Sequence, residues 1–251
     1  MPFNKDVSGF ENEFEFARYL NNKKVRETNP LFQELFENIY NDLSPHSIIT
    51  AWIDFAKQKN DLFIKIEGIT KRISIKKGVK NSVHVEHINS FISFLKDLNI
   101  KDTIIDDYLK YHYADGTLNG TGDKRLSVQE YKENHQDEID NINKILNTKE
   151  ILQKATNRFI LSGRKDEYEV DAMIYGIIED FLWITNKEIK EIVLNKKDDY
   201  STAVHFGPLT IQPMARCLNY NHKYEHMRHF VQVKWYNISD NIIEYMAFHR
   251  K

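Results

Sequence analysis

The chain has 251 residues, of which 41% are apolar, 29% are charged and 12% are aromatic, and its formal net charge is −2. This balance is typical of a soluble globular protein and excludes an intrinsically disordered chain. It also excludes a polycation, so any surface that binds nucleic acid must be confined to one part of the molecule.

The sequence holds one cysteine, Cys217. A single cysteine excludes an internal disulfide framework and a zinc site built mainly from thiolates. The N-terminal residues have no apolar signal core, and no apolar run approaches the length of a membrane span. We therefore expect a cytoplasmic protein without a membrane partner.

The first elements in chain order are predicted to be helices. Apolar residues three and four positions apart predict helices at 10–27, 31–42 and 48–59. The dipeptide Asn29-Pro30 separates the first two, and Ser44 is placed to cap the third.

A β-hairpin follows these helices. The β-rich runs 62–66 and 72–76 are joined by a short connection that begins with Glu67-Gly68, which predicts two antiparallel strands. Ser74 and Lys76 lie two positions apart on the second strand, so their side chains point to the same face.

The rest of the chain alternates between helical and β-rich patterns. Helices are predicted from Ile88 to Leu98, from Ile104 to Tyr113 and over 127–161. The glycine-rich segment 115–125 is a loop, 170–194 fits helix or strand, and 203–237 is β-rich at both ends. We expect an α/β fold with a mixed central β-sheet flanked by helices.

Positive charge is concentrated on the second hairpin strand and the turn after it. No acidic residue follows in the sequence until Glu86. The five basic residues are Lys71, Arg72, Lys76, Lys77 and Lys80. Asp61 directly precedes the first strand, and a hairpin of this size can bring it close to Lys76. A carboxylate that binds a metal beside a lysine suits phosphodiester hydrolysis, because the reaction needs an activated water and stabilised negative charge.

The order of these residues resembles the PD-(D/E)xK nuclease superfamily. Asp61 matches its first acid and Lys76 its lysine, but Ser74 stands where the superfamily has its second acid. Some type II restriction enzymes are similar, with Ser-x-Lys and a compensating glutamate on the following helix. Glu86, at the start of the helix predicted after the hairpin, matches that glutamate, and Glu67 is a second candidate.

A glutamate on the first helix completes the resemblance, which covers residues 9–98. Glu13 is followed by Phe16, Ala17 and Leu20, a pattern similar to the one around the helix glutamate of the superfamily. Glu11 and Glu15 are rival candidates.

The resemblance implies a restriction-endonuclease-like core and a role for each of these residues. Asp61 and Glu86 would bind Mg²⁺, Lys76 would assist the water and the transition state, Ser74 would orient its neighbours, and Glu13 would support the site. Residues 1–114 would form the nuclease-like catalytic core. Residues 115–251 would complete the same α/β domain with elements for DNA recognition or dimerisation.

Double-stranded DNA is the partner that this resemblance implies, and a twofold homodimer is the simplest way to cut both strands of a palindrome. The basic residues assigned to DNA contact are Lys77, Lys80, Lys124, Arg125, Arg216, Lys223 and Arg228. The segment 216–229 is both basic and aromatic, as such contacts require. If this segment is helical, His222, His226 and His229 lie along one face. A transition-metal site is therefore an alternative interpretation of the segment.

The sequence is compatible with two classes of function. The first is a magnesium-dependent DNA endonuclease, of the type II restriction enzyme kind. The second is a non-catalytic nucleic-acid-binding or interaction protein of a phage or mobile element, in which Ser74 marks lost chemistry on a nuclease-like scaffold. Each site residue also has a purely structural interpretation: Asp61 as a turn acid, Lys76 as an edge-strand lysine, Ser74 as a polar residue on a half-exposed strand face, Glu86 as a helix-start acid and Glu13 on a solvated helix face.

Overall fold

The structure is a computed structural model that describes residues 9–55, 59–78, 81–164, 168–196, 203–214, 216 and 222–250. Its α-helices are α1 (Gly9–Leu20), α2 (Pro30–Ile39), α3 (Ile88–Asp97), α4 (Asp102–Tyr113), α5 (Val128–Leu146), α6 (Lys149–Thr156), α7 (Asn186–Asn195) and α8 (Ile238–His249). Its strands are β1 (Thr50–Ile53), β2 (Leu62–Ile66), β3 (Ile69–Lys76), β4 (Ser82–His87), β5 (Ala172–Ile177), β6 (Asp180–Thr185), β7 (His205–Phe206), β8 (Leu209–Pro213) and β9 (Phe230–Trp235).

The chain divides into two compact units, each assembled from separate segments. Unit 1 comprises Met1–Asn81, Thr156–Ile192 and Asn237–Lys251, and unit 2 comprises Ser82–Ala155 and Val193–Tyr236. The loop 115–125, where we expected the second part of the chain to begin, lies inside unit 2.

Unit 1 is built on a five-stranded mixed sheet in the order β1-β2-β3-β5-β6. The only parallel pair in this sheet is β3 with β5, and the other neighbours are antiparallel. Glu67 and Gly68 form the tight turn between β2 and β3, and both have positive φ, as two-residue hairpin turns require. The predicted α/β fold with a mixed sheet flanked by helices is confirmed.

Apolar side chains on one face of this sheet pack under α1 and α2. The aromatic rings of Phe16, Phe32 and Phe181 meet at centroid distances between 4.8 and 5.9 Å. The strand residues of this core that are almost fully buried are Leu62, Ile64, Ile66, Ile73, Ile75, Ala172, Ile174, Phe181 and Trp183. Their alternation along each strand leaves the intervening side chains, among them Ser74 and Lys76 of β3, for the opposite face.

Two of the predicted helices differ from the structure. The segment 48–59, predicted to be helical, contains β1, because Trp52 pairs with Phe63 and Ile53 with Leu62 on the hairpin. The helix predicted over 10–27 ends at Leu20. Residues 56–58 lie outside the described ranges.

Unit 2 contains a four-stranded sheet in the order β4-β9-β8-β7, and each of its pairings is antiparallel. The predicted β-rich ends of 203–237 are confirmed as β7, β8 and β9. Glu86 was expected at a helix start, but it lies on β4. The helix begins at Ile88, with the ring of His87 accepting a hydrogen bond from the Asn89 amide as its N-cap.

None of the helices in the described ranges combines the length and the apolar character that crossing a bilayer requires.

Candidate active site

Asp61 is held between two strands of the unit 1 sheet. Its backbone N–H donates to the carbonyl of Ile73 across 2.9 Å, and its carbonyl accepts from the N–H of Asp54 across 3.1 Å. These two bonds fix the backbone of Asp61 on both sides, although it precedes β2. Its side chain therefore leaves the sheet in a defined direction.

Three donors from β3 converge on one carboxylate oxygen of Asp61. Oδ2 accepts from the Ser74 hydroxyl at 3.1 Å, from the Ile75 N–H at 2.6 Å and from Lys76 Nζ at 3.2 Å. Lys76 Nζ also donates to the Ile75 carbonyl at 3.0 Å. The predicted proximity of Asp61, Ser74 and Lys76 is therefore present, and the charged donor makes the arrangement stronger than a neutral one.

Glu13 belongs to the same cluster. Partial burial, followed by the negative charge of Asp61, raises the pKa of Glu13 to about 7, and the positive charge of Lys76 only partly opposes this effect. The side-chain amide of the preceding residue, Asn12, donates to the Gly176 carbonyl at 3.1 Å and so fastens this part of α1 to the end of β5. Neutral pH is close to this pKa, so the protonated and ionised forms of Glu13 are both populated when no cation is present.

The donor set of this cluster suits a hard divalent cation. It contains the two carboxylates of Asp61 and Glu13 and the ammonium of Lys76. Mg²⁺ is commonly held by one or two carboxylates, with water and substrate phosphate completing its shell. Within the described residues there is no group of three or more His, Cys, Asp or Glu side chains arranged to hold a metal.

Glu86 and Glu67, the other predicted acids, have neighbours within their own units. Glu86 belongs to unit 2, where its side chain is almost fully buried and its Oε2 lies 3.6 Å from His84 Nε2. Glu67 sits in the hairpin turn, and its carboxylate accepts from the Ser44 N–H at 3.3 Å and from the Ser47 hydroxyl. These hydrogen bonds connect the Glu67 carboxylate to the loop before β1.

Three of the predicted DNA-contact residues are arginines that bind backbone carbonyls within unit 2. Arg125 donates to His112, Tyr113 and Met214, at distances between 2.7 and 3.3 Å. Burial, and then the charges of Arg216 and Arg228, lower the pKa of Arg125 to about 10. Carbonyls at a helix C-terminus lack partners within the helix, and Arg125 satisfies those of α4.

Arg216 and Arg228 are buried in a similar way. Arg216 donates to the carbonyls of Tyr111 and Leu126 at 2.9 and 2.8 Å. Arg228 donates to the carbonyls of Gly120 and Gly122 at 2.7 and 3.0 Å. No feature of the sequence distinguishes these arginines from exposed ones.

The four lysines assigned to DNA contact have different positions. Lys124 is exposed in the loop before α5, and Lys223 is exposed on a 3₁₀ helix, His222–His229. Lys77 is partly buried directly after β3, and Lys80 lies outside the described residues.

The histidines of 216–229 do not meet as a metal-binding triad among the described residues. His226 is exposed, whereas His229 is partly buried. His229 Nδ1 lies 3.0 Å from the Tyr113 hydroxyl, and its ring stacks on His87. The side chain of His222 lies outside the described part of the structure.

Sequence reasoning missed one component of the cluster, the N–H of Ile75. It makes the shortest of the three bonds to Asp61. The sequence does hold a clue to this bond, because Ile75 lies between Ser74 and Lys76. When the side chains of both neighbours reach the Asp61 carboxylate, the backbone of Ile75 must pass close to it.

No family model and no curated protein matches this chain. Among solved structures it is similar to the restriction endonuclease MspI, described in a crystal structure with its cognate DNA. The TM-score is 0.51 and the sequence identity is 12%, over 90% of this chain and 91% of that chain. A likeness at this identity concerns the fold, and the chain accordingly has a restriction-endonuclease-like α/β fold.

Proposed function

We propose that this protein is a magnesium-dependent endonuclease that hydrolyses DNA phosphodiester bonds, of the type II restriction enzyme kind with a Ser-x-Lys motif. The observation that carries the proposal is the convergence of Ser74, Ile75 and Lys76 on one oxygen of Asp61, with Glu13 close enough for its pKa to respond to both charges. The similarity to the fold of a DNA endonuclease supports the same conclusion.

Asp61 and Glu13 are the residues that would hold magnesium, so Glu13 takes the part that the sequence resemblance assigns to Glu86. The bound ion would supply charge stabilisation at the phosphate and a more acidic water. Ser74 and the Ile75 N–H keep the Asp61 carboxylate in one orientation. Such preorganisation matters because a catalytic group displaced by about 1 Å loses much of its effect, roughly 100-fold in rate.

Lys76 is the positively charged residue of the proposed active site. Its Nζ lies beside the Asp61 carboxylate and is only partly exposed. From there it can donate to a phosphate oxygen whose charge increases in the transition state. Glu13, whose pKa is about 7 without the ion, would have to be ionised in order to bind it.

The test is incubation of the purified protein with unmodified phage DNA, with magnesium in one reaction and a chelator in the other. We expect discrete fragments that require magnesium. Asp61→Asn should produce none, and Asp180→Asn, at the start of β6, is the matched control in the same unit. DNA that remains intact with the wild-type protein and magnesium would contradict the proposal for this substrate.

Duplex DNA and a homodimer belong to the same proposal. Lys124 and Lys223, both exposed in unit 2, are the lysines we propose for phosphate contact. Light scattering with and without a palindromic duplex measures the oligomeric state. We expect two chains on one site, because a twofold complex presents one catalytic cluster to each strand.

One observation favours the second candidate, a nucleic-acid-binding protein without catalysis. Ser74 adds no charge at the position where the superfamily that the sequence resembles has its second acid. Binding to DNA without magnesium-dependent cleavage would support this alternative.

A further inference from the structure

A row of planar groups lies on the face of the unit 1 sheet opposite its apolar core. Trp52 and Phe63 are cross-strand partners, and their rings stack at a centroid distance of 5.2 Å and an interplanar angle of 21°. Arg72, on the neighbouring strand β3, is the cross-strand partner of Phe63. The guanidinium carbon of Arg72 lies 5.9 Å from the Phe63 ring centroid and 4.3 Å from the Tyr168 ring centroid. We name these four residues the stacking row.

The stacking row is open to solvent despite its large apolar rings. Trp52 is 39% exposed and Tyr168 is 57% exposed, and Phe63 and Arg72 are only partly buried. Stacked rings that keep an outer surface in solvent leave a π-face on which a further planar group can pack. A guanidinium beside those rings adds cation–π attraction and positive charge.

The stacking row and the candidate active site share one face of the sheet. Ser74 and Arg72 lie two positions apart on β3, so their side chains share a face. Asp61, directly before β2, accepts from the Ser74 hydroxyl and lies two residues from Phe63. Two residues of a strand span roughly 6.8 Å, which equals about two base steps of a nucleic-acid strand. A strand whose phosphate reaches Asp61 would therefore bring a neighbouring nucleotide to the row.

The charges beside the row favour a polyanion with planar bases as the occupant. Lys65 is exposed on the same face, and Arg72 is part of the row itself. The acid on this face next to Trp52 is Asp54, whose carboxylate accepts from the Asn60 side-chain amide at 2.6 Å. Cationic groups beside stacking surfaces are the combination that binds single-stranded nucleic acid.

We propose that the stacking row binds an unpaired nucleobase of the substrate strand next to the phosphate that is cut, an inference that rests on the proposed nuclease function. In a duplex each base covers the faces of its neighbours, so only an unpaired, terminal or extruded base can stack on Trp52. The substrate class is thereby narrowed to DNA that is open, or is opened by the protein, beside the cut.

Tryptophan fluorescence tests this directly. Trp183 and Trp235 are fully buried, so a quencher that stacks on the protein surface acts on Trp52. In chelator, which prevents cleavage, we expect a single-stranded oligothymidine to remove up to roughly a third of the emission, because one of three tryptophans responds. A fully paired hairpin duplex with closed ends should quench much less. Equal quenching by both probes, or by neither, would overturn the proposal.

Variants separate stacking from folding. Trp52→Ala should weaken binding of the oligothymidine roughly 5- to 150-fold, the range expected for the loss of one stacked base. Trp52→Phe should keep most of the affinity while losing the fluorescence change. Phe248→Ala, at a ring 78% exposed on α8, is the control and should bind like the wild type. Unchanged affinity in Trp52→Ala would reject the row as the binding site.

A parallel cleavage assay with magnesium distinguishes the two proposals. Cleavage by a protein whose Trp52 emission does not respond to single strands would overturn the stacking row and leave the nuclease proposal standing. A clear response without cleavage would support the row and contradict the nuclease proposal.

Discussion

Ser74 donates its hydroxyl hydrogen to Oδ2 of Asp61 across 3.1 Å. The residue at the acid position of the Ser-x-Lys motif therefore orients the first acid instead of adding a second charge. Ser74 is only 1% exposed, so no solvent replaces its hydroxyl if it is removed.

Ser74→Ala should slow cleavage without abolishing it. Ile75 and Lys76 still hold Asp61, and the loss of one neutral hydrogen bond is worth about 0.5–1.5 kcal/mol. That range corresponds to a roughly 2- to 13-fold lower rate if the bond matters mainly in the transition state. Single-turnover cleavage measures the effect, with Ser90→Ala, in unit 2, as the control. A loss of several thousand-fold would show that Ser74 takes part in the chemistry directly.

Glu13 gives the apo protein a pH-dependent stability. Its pKa of about 7 exceeds the value of 4.5 in the unfolded chain, so the folded state binds the proton more tightly. The resulting stabilisation is complete below pH 4.5 and is lost as the pH rises through 7. After allowance for solvent screening of a half-buried group, we expect about 1–2 kcal/mol.

Urea unfolding in chelator at about pH 5 and pH 8 measures this term. Glu13→Gln cannot ionise, so its unfolding free energy should fall less than that of the wild type between the two pH values. Glu15→Gln, two residues along the same helix, is the control and should follow the wild type. Equal pH slopes for Glu13→Gln and the wild type would show that Glu13 is not perturbed.

A comparison of Glu13→Gln with Glu86→Gln decides which glutamate serves the metal. We expect Glu13→Gln to raise the magnesium concentration needed for half-maximal cleavage, because it removes a carboxylate beside Asp61. Glu86→Gln should leave that concentration unchanged. Cleavage by each variant is followed over a magnesium titration. The reverse pattern would restore the part that the sequence resemblance gives to Glu86.

Adjacent residues Lys124 and Arg125 should behave differently when substituted. Arg125→Ala leaves three carbonyls of unit 2 without their donor and should cost about 1–3 kcal/mol or more of stability. Lys124→Ala should leave stability unchanged, weaken DNA binding and reduce the salt dependence of log K by about 1. Thermal unfolding and binding at several salt concentrations provide the two readouts. A stable Arg125→Ala variant with weakened DNA binding would contradict this division of roles.

The hairpin shows how much of the site the sequence could predict. The strands expected at 62–66 and 72–76 are β2 and most of β3, because their β-rich pattern and the Glu67-Gly68 turn are local features. Once both strands are placed, Asp61 lies at the end of the hairpin that carries Ser74 and Lys76, and its carboxylate accepts from both. The proximity of three site residues therefore followed from local sequence alone.

The remaining features depend on contacts between distant parts of the chain. The segment around Trp52 has apolar spacing compatible with a helix, but pairing with Phe63 makes it a strand. The proximity of Glu13 to Asp61 depends on how α1 packs. The burial of Arg125 depends on the end of α4 and on Met214. Sequence periodicity does not encode such contacts, since it reports only which face of an element is apolar.

The rate of magnesium-dependent DNA cleavage by Lys76→Ala tests the central claim most directly. The control is Lys190→Ala, because Lys190 forms an ion pair with Glu169 at 2.6 Å in the same unit and is also partly exposed. We predict that Lys76→Ala loses roughly 100- to 1,000-fold in rate, as expected for a group that stabilises transition-state charge, while it remains folded and Lys190→Ala cuts at the wild-type rate. Cleavage by folded Lys76→Ala at the wild-type rate would contradict the assignment of this cluster as the active site.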